Sequence, residues 1–396
     1  MSSVAIIVPE MLPVPPVRGG AVEYWVHEAS LRMKPVHERL AVISRPAGIA
    51  GADGIQYIGI PWTAAEQRLH ALKERSSRIN PLRHLAKIQN VWSYGRRVAR
   101  VVRDFDVVYL HNEPNVLLFL KKRPGQKWIL HMHNDHLTIK AFRALYRRAL
   151  KNVDVVLCVS EYIRQRAIAA FPEAASRFKV VLNATDADLF KPYGEEAWTQ
   201  LQGKVPLSRE HRNVLYVGRL TPIKGVHVLI EAFREVYASD PQARLVIAGS
   251  SFFEGAATTP YERELIHLAE PIQQAILFTG FVPHTTLKYL YSACDVVVAP
   301  SVWQEPSGLV VLEAMSSGTC IIGSRVGGIP DLIADGRTGI LVPPDNAKAL
   351  AAAISQLLSD PQRRLAMKQA ARQSVVADFS WDRLVNQIES AIGAAE

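Results

Sequence analysis

Short apolar runs recur along the whole chain and alternate with longer stretches whose apolar positions return at helical spacing. Runs of the first kind predict buried parallel strands, and stretches of the second kind predict amphipathic helices. In the first half, strands are predicted at Val4 to Val8, Leu40 to Ser44, Val107 to Leu110, Trp128 to Met132, Val155 to Val159 and Val180 to Leu182. In the second half they are predicted at Val214 to Val217, Leu245 to Ala248, Ile276 to Phe278, Val296 to Ala299, Cys320 to Ile322 and Gly339 to Val342. One helix begins near Ala21 and carries Val22, Trp25, Val26 and Ala29; another closes the chain from Ser380 with Trp381, Leu384, Val385 and Ile388. This alternation predicts α/β domains with doubly wound parallel sheets. Asp186 to Arg212 breaks it, having no long apolar period and containing Pro192, Gly194, Gly203 and Pro206. The expected organisation is a first domain over 1–190, a linker over 191–212, a second domain over 213–378, and a closing helix over 379–396 packing back toward the first domain.

A chain of 396 residues with 48% hydrophobic content supports two cores of this kind. No apolar run approaches the roughly 20 residues that span a bilayer. The N-terminus enters a strand pattern without the basic and apolar regions of a signal peptide, so a cytoplasmic location is expected. Cys158, Cys294 and Cys320 lie in or beside strand-like runs without metal-type spacing, as buried thiols in a reducing compartment would. The net charge of +9 is uneven: residues 1–190 hold 28 Lys and Arg against 16 Asp and Glu, whereas residues 191–396 hold 18 against 21. Such asymmetry points to an anionic partner of the first half. Trp62 to Phe105 is mostly helical and strongly basic, interrupted at Pro81, and suits either a solvated face or peripheral contact with anionic lipid.

Candidate chemistry collects where predicted strands end, which is where open parallel sheets bind ligands. Gly19 and Gly20 follow the first strand, a pairing that suits either close ligand approach or an ordinary tight turn. His111-Asn112 and His133-Asn134-Asp135 end two later strands, with His131 and His136 nearby; no second cluster supports a metal there. In the second half, Gly218-Arg219 and Lys224-Gly225 bracket a turn before a helix, placing a guanidinium fork and an ammonium where a diphosphate fits. Ser301 to Met315 forms a strand, loop and helix sequence with Glu305 in the loop, Ser307-Gly308-Leu309 at the helix start and Glu313 about 80° further round it. The free N–H groups of that helix start suit an anion, and the two carboxylates suit sugar hydroxyls. Gly327-Gly328-Ile329-Pro330 opens another helix, with small residues that allow close approach.

These residues resemble the retaining glycosyltransferases of family 4, which have the GT-B fold of two facing Rossmann-like domains around an interdomain cleft. The resemblance is carried by Gly218-Arg219-Leu220 with Lys224-Gly225, by Glu305 and Glu313 spaced as E-x7-E, and by Gly327-Gly328-Ile329-Pro330. Gly19-Gly20, His133 and Val180 to Phe190 add a looser match, and the loop Pro9 to Gly20 is similar to spore-coat-associated bacterial members. The resemblance implies metal-independent transfer of a sugar from a nucleotide-diphosphate donor, UDP-linked, to a glycan, lipid-linked or small polar acceptor. It implies no cofactor and no nucleic-acid partner, and a location in the cytoplasm, at the inner membrane face or at the spore coat. Arg219 and Lys224 would hold the diphosphate, Glu313 the ribose and Glu305 the transferred sugar. Gly19, Gly20, Gly218, Ser307, Gly308 and Leu309 would border the donor, and His133 would sit at the reacting centre. His111, Asn112, Asn134 and Asp135 are the acceptor-side candidates. The D-x-D matches at Asp104–Asp106 and Asp186–Asp188 are discounted as metal ligands. The sequence departs from the family at Ser307, where Phe is common and which leaves the donor sugar open, at Leu182 and Ala184, and mildly at Asp331. The competing readings are a coat or scaffold protein that keeps the fold without turnover, and a related epimerase or phosphorylase.

Overall fold

The computed structural model describes residues 2–17, 20–48, 53–68, 81–250 and 258–393, with the backbone alone over 81–89. The chain forms two compact units, Met1–Leu182 with Leu384–Glu396, and Asn183–Arg383.

The first unit is built on seven strands: β1 Ser3–Ile7, β2 Arg39–Ser44, β3 Gln56–Gly59, β4 Val107–His111, β5 Lys127–Met132, β6 Val155–Cys158 and β7 Phe178–Val180. They pair in parallel in the order β3-β2-β1-β4-β5-β6-β7. Successive side chains of β1 and β4 are buried on both sheet faces, which is why these strands read as unbroken apolar runs. The second unit has six strands: β8 Arg212–Val217, β9 Ala243–Ala248, β10 Ile276–Gly280, β11 Val296–Ala299, β12 Cys320–Ser324 and β13 Ile340–Val342. Their parallel order is β10-β9-β8-β11-β12-β13. In each unit the strand order reverses beside the first strand, so a topological switch point opens between the carboxyl ends of β1 and β4 and another between those of β8 and β11.

The pattern missed β3, because Gln56–Gly59 is an edge strand of mixed polarity and is only partly buried. β7 begins at Phe178, two residues before the apolar pattern placed it, since the buried Phe178 side chain anchors it. Pro81 opens the helix Pro81–Val101, as suits a residue that lacks an N–H to donate. Residues 69–80 of the basic segment lie outside the described residues. The largest correction concerns the linker over 191–212. From Asn183 onward the chain belongs to the second unit: Ser316 Oγ donates to Phe190 O at 2.6 Å, Arg372 donates to Ala187 O at 2.7 Å, and Tyr193 N donates to Ser292 Oγ at 2.7 Å. Hydrogen bonds and a few buried apolar side chains hold this segment: Phe190, Ala197, Leu201 and Val205 are buried, two of them on the short helix Glu195–Leu201, too few to make an apolar period in the sequence. The helix Trp381–Gly393 changes unit along its length. Beyond Leu384 it belongs to the first, where Glu389 meets His37 at 2.9 Å and Ile392 O accepts from Lys127. Among the described residues no helix is long and apolar enough to cross a membrane.

Candidate active site

In the second unit the switch point is shaped by close backbone approach. Gly225, at φ 71°, ends the turn after β8 and begins the helix Val226–Ser239; a Cβ there would stand 1.9 Å from Pro300 O. That contact presses the Arg219–Lys224 turn against the end of β11. Lys224 Nζ then reaches Glu305 Oε2 at 2.5 Å, and Ser301 Oγ approaches the same oxygen at 3.3 Å. Both charged side chains are mostly withdrawn from water, with 24% and 15% of their surface exposed, so the pair is stronger than an ion pair on the open surface. The Glu305 backbone is fixed from the other side: Gly328 N donates to Glu305 O at 2.7 Å, Gly327 N donates to Gln304 Oε1 at 2.8 Å, and a Cβ on Gly327 would lie 1.9 Å from Glu305 O. The small residues of Gly327-Gly328 therefore admit the Glu305 backbone, which corrects the expectation that they make room for a ligand.

Glu313 lies on the helix Leu309–Ser316 and accepts a 2.7 Å hydrogen bond from Tyr291 Oη. Burial raises its pKa, against the opposing effects of His284 and the Tyr291 bond. Ser307, half-buried before the same helix, accepts from Asn183 Nδ2 at 2.9 Å, while Gly308 is the residue that caps the helix and Leu309 its first turn. A cavity of about 160 Å³ opens at the carboxyl ends of β8 and β9, lined by Gly218, Arg219, Gly249, Phe281, Val282 and His284, and His284 of its lining acts electrostatically on Glu313. Arg219 is exposed on its rim, and its carbonyl accepts from Tyr216 Oη at 2.9 Å. The second unit thus gathers Gly218, Arg219, Lys224, Glu305, Ser307, Gly308, Leu309 and Glu313 about one switch point. Such a place offers an apolar slot, cations and hydroxyl acceptors together.

In the first unit, His111 ends β4 and pairs across the sheet with His131 of β5, with His133 two residues further on. Period two puts Tyr109, His111, His131 and His133 on one sheet face, beneath Trp25 of the helix Ala21–Met33. The Trp25 ring lies 5.2, 4.9 and 5.2 Å from the three imidazoles. His111 Nδ1 and His133 Nε2 are 2.9 Å apart, and Tyr109 Oη is 2.7 Å from His131 Nδ1. Burial pushes the His133 pKa down to about 3 and holds His111 and His131 well below the usual histidine range. Their nitrogens come within 4.8 Å of one another, but the His111 to His133 contact is a hydrogen bond, with a proton where a metal's ligand would need a lone pair.

Two acceptor-side candidates are corrected by burial. His111 is fully buried, and Asn112 is held at φ 58° with its Oδ1 accepting from His133 N at 3.1 Å, so its side chain ties β4 to β5. Asn134 closes a turn by accepting from His136 N, and Asp135 meets Arg166 at 3.4 Å on the surface. Gly20 caps the helix Ala21–Met33 at φ 109°, while Gly19 lies outside the described residues. In the D-x-D matches, Asp106 accepts from Ser3 N and Oγ, and Asp186 accepts from Asp188 N and Leu189 N. Asp106 thus ties the start of β4 to β1, while Asp186 caps the turn that follows it.

Residues 59–189 match the family described as Glycosyltransferase Family 4, and residues 199–374 the family described as Glycosyl transferases group 1. The putative glycosyltransferase YtcC of Bacillus subtilis (strain 168) is 30% identical over 98% of this chain and 90% of its own. The chain belongs to glycosyltransferase family 4. Spore coat protein SA of the same strain is 28% identical over 98% of both chains, in keeping with the expected likeness to spore-coat-associated members. The crystal structure of Anabaena HepE in complex with UDP and glucose shares the GT-B fold at a TM-score of 0.75, with 20% identity over 99% of this chain and 100% of that one. In this transferase, sequence reasoning missed Tyr291, Asn183, Phe281 and His284. Tyr291 lies at a buried helical position where an aromatic ring reads as core, and nothing in the sequence marks its hydroxyl as a partner of Glu313.

Proposed function

We propose that this transferase takes its sugar from a UDP-linked donor and passes it, with retention and without a metal, to a glycan, lipid-linked or small polar acceptor. The observation that carries this reading is the Lys224–Glu305 pair at the second switch point, in the same unit as the cavity rimmed by Arg219. A departing nucleoside diphosphate needs fixed positive charge, and the transferred sugar needs hydrogen-bond acceptors. Lys224 and Arg219 supply the charge, with Lys224 shared between Glu305 and the phosphates when donor binds. Glu313 takes the ribose hydroxyls with the carboxylate oxygen that Tyr291 leaves open, and Phe281, Val282 and His284 take the base. Glu305 orients the sugar without bonding to it covalently, since its charge is balanced by Lys224. The family resemblance assigns the sugar a hydrogen bond from His133, a residue of the first unit. The leaving phosphate accepts the acceptor's proton on the face from which it departs. Anabaena HepE, whose structures hold UDP, glucose and UDP-glucose, supports the choice of UDP. The basic first unit brings the enzyme to anionic membrane when the acceptor is lipid-linked.

Incubation with UDP-, ADP-, GDP- and TDP-sugars in EDTA, with nucleotide release as the readout, tests this function. UDP release in EDTA is expected. Absence of release and of binding with every donor would leave the coat or scaffold reading in its place.

A further inference from the structure

The three histidines under Trp25 are more than a packed aromatic layer, because their hydrogen bonds determine where each proton resides. A neutral imidazole carries one proton on two nitrogens, so the partner of one nitrogen decides the chemistry of the other. His111 has Nδ1 2.9 Å from His133 Nε2, while its Nε2 is buried with no hydrogen-bond partner. His131 repeats the arrangement, with Nδ1 on Tyr109 Oη and a buried, unpartnered Nε2. An orphaned N–H in a dry site is rarer than an orphaned acceptor, so on His111 the bare lone pair belongs on the buried Nε2 and the proton on Nδ1, whereas on His131 the Tyr109 hydroxyl can itself be the donor. Burial keeps all three rings uncharged at neutral pH, so no second proton is available to blur this assignment.

We infer that His111 is a positioning residue: its Nδ1–H donates to His133 Nε2 and so fixes His133 as the Nδ1–H tautomer, which meets the sugar as a hydrogen-bond donor and not as a base. The inference rests on the assignment of His133 to the sugar. Packing holds the same geometry, since the His131 ring stacks on His133 at 4.4 Å and Trp25 meets its edge. A donor at this place can bond a sugar hydroxyl oxygen and cannot take the acceptor's proton, which leaves that step to the departing phosphate.

The test is long-range proton–nitrogen correlation NMR on the full chain labelled with ¹⁵N-histidine at neutral pH, with His133 assigned from the His133→Ala spectrum. A protonated Nδ1 and bare Nε2 on His133 is expected in the free protein. Nε2–H on His133, whose proton would then be accepted by His111 Nδ1 with the His111 proton on its buried Nε2, overturns the inference. So does one equivalent of tightly retained zinc, which requires bare ligand nitrogens. Among variants, His111→Leu should lower kcat about tenfold with little change in donor KM, and should let His133 lose its fixed tautomer. His111→Asn, whose amide N–H falls near the lost Nδ1–H, should restore most of both. Equal loss in the two variants also overturns it. Unchanged transfer by His133→Ala would instead defeat the role of His133 at the sugar, and would leave the tautomer measurement standing.

Discussion

Acid should destabilise the first unit through its buried histidines, and the size of the effect follows from the structure. His133 titrates near 6.5 in an unfolded chain but is pushed down to about 3 by burial in the native one. Below pH 6.5 the unfolded chain therefore binds a proton that the folded chain refuses, so its contribution is fully present above 6.5 and is lost as pH falls toward 3. From pH 7.5 to 5.0 this one ring removes about 2 kcal/mol, at about 1.4 kcal/mol per pH unit once the unfolded ring is protonated. The partial opening of His133 at the strand end trims that figure. His111 and His131 are shifted in the same direction and add to the same loss. A net stability of about 5–15 kcal/mol makes such a change easy to detect. Urea unfolding at the two pH values, followed by tryptophan fluorescence and circular dichroism, should show the transition of the first unit moving to lower urea at pH 5.0. In His133→Asn the fall should shrink by up to about 2 kcal/mol, because carboxylate titrations common to both proteins cancel in the comparison. An equal fall in both proteins, or a wild type that gains stability toward pH 5.0, would mean that the folded ring accepts a proton and that the buried, neutral cluster is wrong.

Three further outcomes are expected. Lys224→Ala should slow transfer about 100-fold, since it removes the cation and leaves Glu305 unpaired, whereas Glu313→Ala should weaken UDP binding about tenfold in calorimetry; wild-type behaviour in both would break the site assignment. Gly225→Ala should cost about 3 kcal/mol or more in thermal or urea unfolding, because φ 71° and the 1.9 Å approach to Pro300 O leave no room for a methyl group; a neutral result would deny the close backbone contact. Sedimentation with anionic liposomes at low and high salt should show salt-sensitive binding that neutral liposomes lack, and its absence at low salt would reduce the basic face to a solvated surface.

The sequence by itself determined most of the strands and both sheets, because parallel strands buried on two faces must be continuously apolar, and few other patterns satisfy that. It also placed Gly218, Arg219, Lys224 and Glu305 in the loops after strands and Glu313 in the helix that follows, since glycines and polar residues interrupt the apolar runs there. What it could not decide were pairings between distant residues. Lys224 looked available for phosphate, and only the approach of Gly225 to Pro300 showed it held by Glu305. Gly327 and Gly328 looked like room for a ligand and proved to be room for the Glu305 backbone. The segment over 191–212 looked like a linker because its short helix Glu195–Leu201 buries only Ala197 and Leu201, and the hydrogen bonds to Ser316, Arg372 and Ser292 around its start leave no periodic trace. The histidines show the division most plainly. Period two placed His131 and His133 on one face, but the 2.9 Å bond between His111 and His133, on which the His133 tautomer turns, exists only once β4 and β5 are paired in register.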